Sequence, residues 1–93
     1  MRVIGYIEHP SLKISVFKMD EKYVVKFESG FYEQIFKFKA DEYINGLEAV
    51  QRVIDAEFIS SVERSLPAMH QLRMQALSRL LPPVQENEFD KLW

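Results

Sequence analysis

Apolar positions fall every second residue through the first forty residues and every third or fourth residue afterwards. The first rhythm is that of a half-buried strand, the second that of an amphipathic helix. Four segments carry the two-residue alternation with β-branched or aromatic side chains: 2–8, 12–19, 23–28 and 31–39. The links between them are short and marked by His9-Pro10, Asp20-Glu21 and Ser29-Gly30. Links this short force antiparallel neighbours, because a parallel crossover needs a dozen residues or more. The pattern therefore predicts a four-stranded antiparallel meander in the order 1-2-3-4.

Two-residue loops at Asp20-Glu21 and Ser29-Gly30 set an expected register. The first puts Lys13 opposite Glu28, Ser15 opposite Lys26 and Phe17 opposite Val24. The second puts Phe27 opposite Tyr32, Lys26 opposite Glu33, Val24 opposite Ile35 and Tyr23 opposite Phe36. Pro10 fits poorly in the favoured two-residue hairpin turn, so a longer loop is expected there, with Ile7 opposite Leu12. Alternation then sorts the side chains onto two faces. Val3, Gly5, Ile7, Leu12, Ile14, Val16, Tyr23, Val25, Phe27, Tyr32, Phe36 and Phe38 make an apolar core face. The other face mixes Arg2, Lys13, Lys26, Lys37 and Lys39 with two acids, Glu28 and Glu33, with Tyr6, Phe17 and Phe31, and with an apolar row, Phe17–Val24–Ile35, with Ile4 nearby.

From residue 46 the period changes. Leu47, Val50, Ile54, Phe58, Val62 and Leu66 form one stripe at steps of three or four. Asn45 with Glu48 has the spacing of a capping box, and Asp41 is an alternative earlier start. A long helix over about 46–66 is expected to cover the core face. Pro67 suits the first turn of a second helix over about 67–81, with Met69, Leu72, Ala76, Leu77 and Leu80 as its stripe. Pro82-Pro83 ends it. The reading is a single α+β domain over 1–83, followed by an acidic tail over 84–93. That tail finishes in Phe89, Leu92 and Trp93 at i, i+3, i+4 spacing, an expected anchor for its own subunit or a partner.

Composition narrows the chemistry. Ninety-three residues, 47% of them hydrophobic, suffice for one core. The absence of cysteine excludes disulfides, thiolate metal sites and cysteine nucleophiles. Three glycines leave no phosphate-cradling loop. The two histidines, His9 and His70, stand in no zinc-hydrolase spacing, and no serine sits in a Gly-x-Ser-x-Gly elbow. No metal, cofactor or catalytic residue is expected, and the chain reads as non-enzymatic. With no signal peptide and no long apolar run, the expectation is a cytoplasmic protein with no membrane partner.

The net charge of −2 is unevenly spread. Residues 1–40 hold seven basic and five acidic side chains, whereas 41–93 hold five and nine. Two functions fit the outer sheet face. The first is assembly, most simply a homodimer, with Ile4, Phe17, Val24 and Ile35 as the interface and Phe89, Leu92 and Trp93 adding anchors. The alternative is single-stranded nucleic acid held by Tyr6, Phe17, Lys13, Lys26, Lys37 and Lys39, with aromatics stacking bases and cations tracking phosphates. In layout, four antiparallel strands and then a helix, residues 1–66 are similar to the Whirly and transcriptional-coactivator single-strand-binding fold. The resemblance implies a sheet-face binding mode. The Lys-Gly-Lys-Ala signature of Whirly proteins does not occur here, so it assigns no residue.

Overall fold

The computed structural model describes residues 1–80. Four strands, β1 (Arg2–Ile7), β2 (Lys13–Met19), β3 (Lys22–Ser29) and β4 (Tyr32–Lys39), form one antiparallel sheet in the order β1-β2-β3-β4. Two helices follow, α1 (Leu47–Val53) and α2 (Ala56–Leu80). The α+β meander expected from the pattern is the fold of the chain. Residues 81–93, with the end of the helix expected at 67–81, Pro82-Pro83 and the Phe89, Leu92, Trp93 cluster, lie outside the described residues.

The β2–β3 register is the expected one: Lys13 faces Glu28, Ser15 faces Lys26 and Phe17 faces Val24. The Asp20-Glu21 turn closes it, with Asp20 at a positive φ of 52°. Aspartate tolerates that conformation better than most residues. The β3–β4 register differs from expectation by two residues. Ser29 pairs with Tyr32, Glu28 with Glu33, Lys26 with Ile35, Val24 with Lys37 and Tyr23 with Phe38. The loop is Gly30-Phe31, not Ser29-Gly30, so Gly30 takes the first loop position at φ 57°. A glycine with positive φ at that position is one of the two favoured hairpin solutions. A slip of two preserves which side each residue faces, so Tyr23, Val25, Phe27, Tyr32, Phe36 and Phe38 stay on the helix side. Phe31 does not: it leaves the outer face for the turn, where the Arg73 guanidinium of α2 stacks 4.4 Å from its ring centroid.

β1 carries a larger correction. Ile7 pairs with Ile14, not Leu12, and the register shifts between Val3 and Gly5. A bulge there makes one residue extra and reverses the alternation below it. Val3 therefore sits opposite Phe17 on the outer face and is exposed, whereas Ile4 packs against the core. Arg2 pairs with Lys18, whose ammonium lies 4.9 Å from the ring centroid of core-facing Tyr23, and so also leaves the outer face. Gly5 marks the bulge and gives Leu47 of α1 room: a Cβ at Gly5 would lie 2.7 Å from Leu47 Cδ2.

The core is Leu12, Ile14, Val16, Tyr23, Val25 and Phe27 from the sheet against Val50, Ile54 and Val62 from the helices. The helical stripe expected as one helix over 46–66 is broken at Ile54-Asp55, and the break expected at Pro67 is absent, so Pro67 lies inside α2. Asp55 explains the break. Its carboxylate accepts the Phe58 N–H at 2.9 Å and its carbonyl accepts the Ile59 N–H at 3.0 Å, which is N-cap geometry. The bend lets α1 pack on β1 while α2 runs along β4, two strands that one straight helix cannot both cover. Replacing Asp55 with alanine removes the cap, and thermal melts should register a loss of about 0.5–2 kcal/mol.

The start of α1 also departs from expectation. Its N-cap is Gly46, without a side-chain cap bond, so Asn45 and Glu48 do not form a capping box. Asn45 donates instead to the Glu42 carbonyl at 3.4 Å. Asp41 starts no helix, but its carboxylate accepts the N–H groups of Tyr43 and Ile44, both at 2.8 Å, and fixes the turn after β4. The Ile44 and Tyr43 bonds, with a smaller contribution from the Lys39 charge, hold its carboxyl below the usual range. A lowered folded-state value stabilises above the ordinary carboxylate range and is lost as pH falls through the lowered value.

Candidate binding face of the sheet

The helices cover one side of the sheet, and among the described residues no element covers the other. Four rungs cross that outer face. From the end nearest the Gly30-Phe31 turn they are Lys13–Glu28–Glu33, then Tyr6–Ser15–Lys26–Ile35, then Val3–Phe17–Val24–Lys37, then Met19–Lys22–Lys39. The face thus carries five lysines and two glutamates, a net +3. Residues 1–80 as a whole hold eleven basic and eleven acidic side chains, so the rest of the described chain is −3.

Charge on the face is graded. At the Glu28 end, Lys26 pairs with Glu28 at 3.3 Å and leans over the Phe17 ring, with its ammonium 5.6 Å from the centroid. Lys13 lies opposite Glu28. At the far end, Lys22 faces Lys39, and Lys37 stands one rung away with no acid on either rung. All three are exposed and make no ion pair with any described residue; Asp41, two residues past Lys39, lies close enough for its charge to be felt. Like charges directly opposite in a sheet are destabilising. An anion bridging Lys22, Lys37 and Lys39 would relieve that repulsion.

The apolar part of the face is smaller than the sequence implies. Val24 is only 3% exposed, closed in by its neighbours, and Phe17 is half-buried under Lys26. Ile4 has moved to the core side. What remains accessible is Ile35 at 51%, Tyr6 at 58% and Val3. The structure therefore brings together Tyr6, Lys13, Phe17, Lys26, Ile35, Lys37 and Lys39, and it separates Ile4 from them. Lys22, Met19 and Val3 belong to the face beyond the residues expected there. Lys22 was legible from parity with Val24 once β3 is allowed one more residue; Val3 depended on the bulge.

Beside Tyr6 and Lys13 an open groove of about 600 Å³ runs along the β1–β2 loop, past His9 and Pro10. His9 organises that loop. Its Nδ1 accepts the N–H groups of Ser11 and Leu12, both at 3.2 Å, and its Nε2 lies 3.4 Å from Glu63 on α2. His70 sits on the helix side, with Nδ1 2.9 Å from the Tyr32 hydroxyl. The two histidines therefore work in separate local networks. Among the described residues no three histidines or acids are grouped to hold a metal, and no helix is long and apolar enough to cross a membrane. No protein-family model matches this chain, nor does any curated protein or solved structure.

Proposed function

We propose that this chain is a non-enzymatic binding module whose outer sheet face takes single-stranded nucleic acid. The observation that carries the reading is the five-to-two excess of lysine over glutamate on that face, with Lys22, Lys37 and Lys39 clustered at one end. Exposed Tyr6 supplies a flat ring face on an adjoining rung, and the Phe17 ring, which Lys26 covers, becomes a second one once that ammonium turns to a phosphate. Bases stack on such rings irrespective of sequence, while lysines at the edge neutralise phosphates. Charge also argues against the same face meeting a copy of itself. A two-fold interface would bring two +3 surfaces together, and like-charge juxtaposition costs affinity.

Exposed Ile35 and Val3 favour a second reading, a homodimer through the same face. One experiment separates the two. A labelled mixed-sequence DNA oligonucleotide is titrated with protein over a series of salt concentrations, and the mass of the protein alone is followed by sedimentation. Nucleic-acid binding predicts affinity that falls with salt, with a log–log slope of about −0.7 per phosphate neutralised, hence near −2 for the three-lysine cluster. The double variant K22E/K37E should abolish it. Absence of binding at low salt, with a concentration-dependent dimer that Ile35→Lys dissociates, would replace this reading by the second.

A further inference from the structure

α2 is too long for the sheet it covers. Its 25 residues span about 37 Å, against roughly 20–27 Å for strands of six to eight residues. The sheet ends where Tyr32 meets His70 and Phe31 meets Arg73, so Met74–Leu80 projects beyond it. The stripe that packs on the sheet through Phe58, Val62 and Leu66 does not stop there. It continues through Met69, Ala76, Leu77 and Leu80, with Leu72 beside it. Met69 and Leu77 are half-buried, but Leu72 at 67%, Ala76 and Leu80 at 86% are exposed, so this edge of the stripe has no cover among the described residues.

The thirteen residues that follow Leu80 have the composition to cover it. Pro82-Pro83 lacks two successive helical N–H donors and disfavours helix in the residue before it, a sequence that suits a reversal of the chain. Residues 84–93 then present Phe89, Leu92 and Trp93 at the spacing of one helical face. At 1.5 Å per residue those ten positions span about 15 Å if helical, and the stretch of α2 from Met69 to Leu80, which includes the overhang, spans about 17 Å. Charge agrees: Glu86, Glu88, Asp90 and Lys91 sum to −2, while the overhang carries Arg79 and Arg73 stands at its base against Phe31. We infer that the C-terminal segment 84–93 docks back on its own chain along the exposed Leu72–Ala76–Leu80 edge of α2. Phe89, Leu92 and Trp93 seat against Leu72, Ala76 and Leu80, and the acids lie beside Arg79.

Trp93 is the single tryptophan, so it reports on this contact directly. In the full chain its emission should be blue-shifted and shielded from iodide and acrylamide. The double variant L72D/L80D changes two exposed residues, so the far-UV circular dichroism should hold while Trp93 becomes red-shifted and fully quenchable. Ile35→Lys, on the opposite side of the sheet, should leave Trp93 unchanged. Red-shifted, freely quenched emission in the unmodified chain would overturn the inference, as would emission indifferent to L72D/L80D. A blue shift that disappears on dilution as the mass halves would also overturn it, because the tail would then be seated on a neighbour.

Discussion

Replacing Phe27 with alanine should cost about 3–5 kcal/mol, the range for deleting a large aromatic from a core. Phe27 is almost fully buried where the sheet meets α2. Its ring centroid lies 5.7 Å from that of Phe36, edge to face, and 5.8 Å from that of Phe58 in a stacked arrangement. Phe36 and Phe58 in turn meet edge to face at 5.0 Å. The three rings are the seam between β3, β4 and α2, so truncating Phe27 leaves a cavity and removes two of the three ring pairs at once. Domains hold together by about 5–15 kcal/mol in all. Chemical denaturation should show the midpoint falling by a large fraction of its value with a little-changed slope. Replacing Phe36, which is only half-buried, should cost less. Equal effects from the two would mean that the sheet and α2 do not meet through Phe27.

What the sequence reveals of this fold, and what it hides, follows from how each feature is encoded. Strand parity is written at every second residue, so the faces of β2, β3 and β4 are legible even where the β3–β4 register slips. Ser29-Gly30 and Gly30-Phe31 are both chemically acceptable two-residue loops, and both leave the parity intact; only the position of the positive φ distinguishes them. The bulge in β1 is harder. Val3 and Ile4 are both apolar, so reversing their sides breaks no pattern, and the one trace is Gly5 inside a strand. That single hidden residue moves Ile4 off the outer face and brings Val3 onto it. The burial of Val24 is likewise invisible to alternation, because Val24 sits on an inner strand between Phe17 and Lys37. The helix break shows two signals in competition. Pro67 is the stronger breaker by residue type, but Asp55 meets a geometric demand, since α1 and α2 must cover opposite edges of one sheet.

That competition makes Pro67 the second substitution with a large expected effect. Pro67 lies eleven residues into α2, exposed, with helix on both sides of it. It has no N–H, so the Glu63 carbonyl has no donor from the residue four ahead, and the ring crowds the preceding turn. Proline inside a helix is less favourable than alanine by about 3 kcal/mol. Part of that returns through the unfolded state, where proline is the stiffer residue, by about 0.4–1 kcal/mol. Pro67→Ala should therefore stabilise the chain by about 2 kcal/mol. For a domain of this size each kcal/mol raises Tm by about 4–8 °C, so the shift is easily measured. The same carbonyl belongs to Glu63, whose carboxylate reaches His9, and the next turn carries His70 against Tyr32. A proline here leaves α2 anchored to the sheet on both sides of its weakest point. If the chain were two helices meeting at Pro67, proline would occupy a first turn that suits it, and alanine would leave Tm unchanged or lower it. A rise in Tm with unchanged helix content marks one continuous α2, and a fall would mean that the helix ends at Leu66.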